Sequence, residues 1–172
     1  MSDNYYQLAT PIGKLASILP VLSAQKIQSI QLKADDSPLL AIKVTTETLV
    51  DFDKKMNSLN IRYFLIKNLN FKLLLRNAGK LNIKLRNINV GDLESPIKEE
   101  YKDIYDKALS SRNYQPLVDI IEKNELIIKK LEISHSGRIL TIYENGMVWV
   151  SEDLLASDET KNLLKKVISI FK

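Results

Sequence analysis

A chain of 172 residues, 45% hydrophobic and 27% charged, is long enough to bury a core and is composed like a globular protein, which excludes a largely disordered or fibrous chain. With no cysteine, it can hold no disulfide, thiol nucleophile or thiolate metal site, and a reducing, cytoplasmic setting is expected. The net charge of +4 is unevenly spread: residues 1–91 carry 13 basic and six acidic side chains, residues 92–172 carry 12 and 15.

The first nine residues show no period and read as a loosely ordered or edge-packed start, anchored by Tyr5 and Tyr6. Thr10-Pro11 predicts an N-cap with proline at the first helical position. Ile12, Leu15, Ile18 and Leu19 follow at helical spacing, and Pro20 is expected to end or kink that helix. Ile30 and Leu32, then Leu40, Ile42 and Val44, recur at period two on either side of Asp35-Asp36-Ser37-Pro38, which predicts a β-hairpin. Thr45 or Thr46 caps a helix striped by Leu49, Phe52, Met56 and Leu59, with Asn60 as its stop signal.

Three strand-like runs are expected next: 61–67, 71–77 and 80–90, with Ala78-Gly79 as a tight turn. In the third, Leu81, Ile83 and Leu85 point one way and Lys80, Asn82, Lys84 and Arg86 the other. The phase slips near Asn87, which predicts a bulge or bend. Gly91–Pro96 is the expected junction between a basic α+β N-terminal subdomain (1–91) and an acidic second part (92–172). Ser95-Pro96 opens a helix carrying Ile97, Tyr101, Ile104, Tyr105 and Ala108, broken at 110–113, and a further helix covers 116–123. Strands are expected at 126–134, 138–143 and 147–150, around a Ser-Gly turn and a type I′ Asn145-Gly146 turn. Ser157 caps a last helix, acidic at its start and basic toward Lys172, with Leu163, Leu164, Val167, Ile168 and Phe171 as its buried face. The fold class is α+β: curved antiparallel sheet packed against several helices.

Between Asp53 and Asp92 there is no acidic residue, while nine basic ones occur. On the strand reading, Arg62, Lys72, Arg76, Lys80, Lys84 and Arg86 share a sheet face beside Leu74 and Phe64, and such a face binds phosphates. The ordinary alternative is a solvated surface balanced by Asp92, Glu94, Glu99, Glu100, Asp103 and Asp106. Of the aromatics in this interval, Tyr63 and Phe71 have core parity, and only Phe64 matches Arg62; Trp149 also reads as core.

Other chemistries lack their residues. No glycine-rich phosphate loop and no GxSxG elbow exists, and the single histidine, His135, reads as an exposed turn residue. Glu99, Glu100, Asp103 and Asp106 would suit a divalent cation, but they alternate with Lys98, Lys102 and Lys107 as a solvated helix face does. No catalytic or metal-binding residue and no cofactor is therefore expected. No apolar run has the length of a membrane span, and the N-terminal segment lacks the pattern of a secretory signal, so no membrane is expected. The excess of lysine and isoleucine suggests an A/T-rich genome, such as that of an archaeon or its virus.

The segment SGRILTIYENGMVWVSEDLLASDETKNLLKKVISIFK, preceded by PLVDIIEKNELIIKKLEIS, runs helix, strand, turn, strand, capped helix. In that order residues 116–172 resemble a repeat of the TATA-box-binding-protein family. The resemblance implies a curved antiparallel sheet backed by helices. It carries over no binding residue, because the paired phenylalanine wedges of that family have no counterparts, and the three strands expected over 61–90 exceed a two-repeat saddle. The reading that follows is a non-catalytic nucleic-acid-binding or accessory subunit, its partners DNA or RNA and a protein subunit. The alternative is a protein–protein assembly module without nucleic-acid contact.

Overall fold

A computed structural model describes residues 4–33 and 37–171. In chain order it contains β1 (Tyr5–Pro11), α1 (Leu15–Ala24), β2 (Ser29–Lys33), β3 (Leu39–Val44), α2 (Thr46–Leu49), α3 (Phe52–Ser58), β4 (Ile61–Tyr63) and α4 (Asn68–Asn77). There follow β5 (Lys84–Gly91), α5 (Ser95–Ser111), α6 (Gln115–Lys123), β6 (Ile127–His135), β7 (Arg138–Tyr143), β8 (Met147–Val150) and α7 (Asp158–Ile168). The class is α+β, with antiparallel sheet that curves and stays open. Among the described residues no helix is long and apolar enough to cross a membrane.

The chain divides into two compact units, Met1–Leu65 with Asn145–Lys165, and Ile66–Glu144 with Lys166–Lys172. The division falls elsewhere than the junction expected at Gly91–Pro96.

In the first unit the strand order is β2-β3-β1-β8, with β4 also on β1. β1 is thus a central strand, which corrects the expected loose N-terminal start. It shows no alternation because Tyr6, Gln7, Leu8 and Ala9 are all buried, as in any strand covered on both faces. The strand runs on to Pro11, opposite Ile61, so Thr10-Pro11 is no helix cap and α1 begins at Leu15. Nor does Pro20 end α1; it lies inside, tolerated because Leu15, Ile18, Leu19 and Leu22 anchor the helix on a core of Ile27, Leu40, Ile42, Phe52, Met56 and Ile61.

The β2–β3 hairpin forms as its period demanded; its turn residues Asp35 and Asp36 lie outside the described ones, as does Lys172. Thr45 caps α2 reciprocally with Thr48. The single striped helix is instead two, parted at Val50-Asp51, with Leu49 turned to solvent while Phe52 and Met56 go to the core. Asn60 takes the left-handed conformation at φ 54°, as a helix stop does. Gly146, at φ 82°, packs so closely that a Cβ there would lie 2.0 Å from the Phe64 carbonyl oxygen. Asn145 keeps a negative φ, so this turn is not type I′.

In the second unit β6 lies between β5 and β7. The run 71–77 is helix, not strand. Phe71, Leu73 and Leu75 fit period two as well as the buried Phe71, Leu74 and Leu75 fit the spacing of three and four that α4 uses, and the local capping decides. The Asn70 side chain accepts the Lys67 amide at 2.9 Å, while Asn68 bridges the Leu126 carbonyl and the Ile128 amide, each at 2.9 Å. Residues 64–67 lie outside any strand, and 80–82 are turn, so β5 begins only at Lys84. The expected bulge is present, with a register shift between Leu85 and Asn87. α5 and α6 form where Ser95-Pro96 and the Leu117, Val118, Ile120, Ile121 stripe placed them. Ser136 and Gly137 both take positive φ and turn β6 into β7.

Candidate nucleic-acid interface

The six cations singled out by the sequence do not share a sheet face. Arg62 sits on β4 in the first unit, exposed, in a groove lined by Asp53, Asn57, Ile61 and Tyr63. Tyr63 stacks on Phe52 with centroids 6.1 Å apart and donates its hydroxyl to Asp53, so burial and that carboxylate push the hydroxyl above the usual tyrosine range.

The other five lie in the second unit on three kinds of element. Lys72 and Arg76 are one helical turn apart on α4 and converge on Glu122 of α6, at 3.2 and 2.7 Å. Hydrogen bonds from Arg76 and Lys72 hold the Glu122 carboxyl below its ordinary value. Lys80 occupies the turn after α4. Lys84 and Arg86 belong to β5, where the bulge leaves Arg86 without a cross-strand partner position. The Arg86 Nε donates to Glu132 at 3.2 Å. Among the described residues no ion pair engages Arg62, Lys80 or Lys84. The acid-free interval is therefore answered partly by Glu122 and Glu132, rather than by ion pairs from the acidic run after Asp92. Leu74 is buried within α4, and Phe64 is half-buried in the first unit, so neither flanks a basic sheet face.

What the sequence reading missed is how β5 is held. The Leu85 amide donates to the Tyr114 hydroxyl at 2.9 Å, and the Tyr105 hydroxyl donates to the Arg86 carbonyl at 3.2 Å. The Tyr101 hydroxyl reaches the Ile88 carbonyl at 3.4 Å. Tyr101 and Tyr105 stack with centroids 5.8 Å apart, and burial raises both hydroxyls above the usual tyrosine range. Three tyrosines thus fix the strand that presents Lys84 and Arg86. Their signal was present in the i, i+4 spacing of Tyr101 and Tyr105, but nothing local named β5 as their target.

Beside this strand runs an open groove of about 480 Å³, lined by Lys84, Leu85, Arg86, Asp106, Leu109 and Ser110. The last three lie at spacings of three and four along α5, on one helix face. Its charge is two cations against one carboxylate. His135 donates through Nδ1–H to the Asn82 carbonyl, 2.8 Å away, and closes the turn before β5. Trp149 is half-buried on β8. Among the described residues no three of histidine, aspartate and glutamate gather to hold a metal ion.

Comparison with family models, curated proteins and solved structures finds no match for this chain.

Proposed function

We propose that this chain is a non-catalytic nucleic-acid-binding or accessory subunit, and that its second unit contacts phosphates through Lys84 and Arg86, with Lys80, Lys72 and Arg76 adding positive potential. The observation that carries the reading is the β5–α5 groove, where among the described residues Lys84 has no ion pair and Arg86 uses only its Nε on Glu132. Phosphate contacts of this kind give affinity without base choice. The test is fluorescence anisotropy with labelled DNA and RNA across a salt series. Replacing both Lys84 and Arg86 by glutamate should weaken binding and flatten the logarithmic salt slope by about two. An unchanged slope contradicts the reading.

One observation favours the second reading, an assembly module. In the first unit the adjacent Leu49 and Val50 are 59% and 89% exposed at the α2–α3 break. A partner complex that survives high salt, is lost with Val50→Glu, and occurs without any nucleic-acid binding would replace the proposal.

A further inference from the structure

A groove built for phosphate alone has no use for Asp106. Its carboxylate shares the groove with Lys84 and Arg86, and it repels every phosphate that approaches them. Among the described residues no ion pair or hydrogen bond engages it, although Lys102 lies one turn earlier on the same helix; its charge is felt by Tyr105 alongside. A carboxylate is an acceptor only, so its natural counterpart is a ligand hydroxyl close to a phosphate.

Resting on the nucleic-acid reading above, we propose that Asp106 accepts a hydrogen bond from a ribose 2′-hydroxyl, and that the groove is therefore selective for single-stranded RNA over DNA. In RNA the 2′-hydroxyl lies next to the backbone phosphate that Lys84 and Arg86 would engage, and it is the one group by which a protein distinguishes the two backbones. A charge-assisted hydrogen bond offsets the repulsion for RNA. Deoxyribose offers only a C–H at that position, so a DNA strand meets the repulsion uncompensated. Between a strand and a helix, the groove leaves the half-buried, apolar Leu109 for the sugar.

The experiment measures anisotropy of the full chain with three single strands of identical base sequence: RNA, DNA with uracil for thymine, and 2′-O-methyl RNA. It compares the wild type with Asp106→Asn and with Asp103→Asn, which removes the same charge from the same helix outside the groove. RNA should bind about five- to tenfold tighter than DNA, and 2′-O-methyl RNA should behave as DNA, because it has lost the donor. Asp106→Asn keeps an oxygen acceptor but loses the charge, so it should shrink the RNA-to-DNA ratio, largely by strengthening DNA binding, while Asp103→Asn leaves the ratio unchanged. Equal binding of RNA and DNA by the wild type, or a ratio indifferent to Asp106→Asn, overturns the inference and leaves phosphate binding standing. Absence of binding to every strand at low salt overturns both.

Discussion

The ion pairs that join distant elements sit at different depths in the two units. In the first, Lys43 of β3 forms an ion pair with Asp153, and Tyr6 of β1 donates to the same carboxylate at 2.5 Å. Lys43 and Asp153 are only 16% and 24% exposed, and the carboxylate also accepts the Leu155 amide at 2.8 Å. Burial alone would raise the Asp153 carboxyl, but the bonds from Lys43, Tyr6 and Leu155 outweigh it and hold the group below its usual value. In the second unit the pairs have one more open member: Glu122, 39% exposed, holds Lys72 and Arg76, and Glu132 holds Arg86, 49% exposed, by one nitrogen. Partly buried charge fixes a loop to strands, whereas exposed charge contributes little to stability and stays available to a ligand. The difference separates cations that serve the fold from cations that can serve a partner.

The harshest way to break the first unit is at its tightest backbone contact. Gly146→Ala combines a positive φ with a Cβ 2.0 Å from the Phe64 carbonyl oxygen, and should cost about 3–5 kcal/mol by urea denaturation. A variant within 1 kcal/mol of wild type would mean the turn relaxes freely.

Asp153→Asn tests the inward use of charge, with an expected loss of about 2 kcal/mol at neutral pH. The sign of its pH dependence follows from the lowered carboxyl. Stability from Asp153 is complete above the unfolded-state value near 3.9 and is lost as pH falls through the lower folded-state value. The variant should therefore lose less stability than wild type on acidification below about pH 4, measured as the difference in urea midpoints.

The smallest stability effect and the sharpest contrast belong to Glu122→Gln. Its carboxylate lies at the surface, so the urea midpoint should stay close to wild type. Freeing Lys72 and Arg76 should nevertheless tighten nucleic-acid binding and steepen its salt slope. A large stability loss without any change in binding would assign these cations to the fold.

How much of this was legible differs along the chain for physical reasons. The segment from Ser95 onward announces itself through chemistry that acts locally. Pro96 opens α5, Ser136-Gly137 turns a hairpin, and the Ser157 hydroxyl accepts the Thr160 amide at 3.2 Å to cap α7. The bulge near Asn87 was likewise written in the slipped phase of Leu85 and Ile88. β1 was illegible because its burial on both faces is a tertiary fact; nothing in Tyr-Tyr-Gln-Leu-Ala records that three strands will pair with it. α4 was misread because four apolar residues in Phe71–Leu75 satisfy two periods at once, and its cap, Asn70, lies ahead of the run. That one error placed Lys72 and Arg76 on a sheet, and with them the expected basic face. The arrangement of the cations depends on Glu122 and Glu132, which are distant in sequence.

The most direct test of the central claim compares two charge reversals in one salt series: Lys84→Glu with Arg86→Glu in the second unit, and Arg62→Glu with Lys54→Glu in the first. The account predicts that the first pair weakens binding and flattens the salt slope, while the second leaves both near wild type. Equal loss from the two pairs, or loss from the first unit alone, would contradict it.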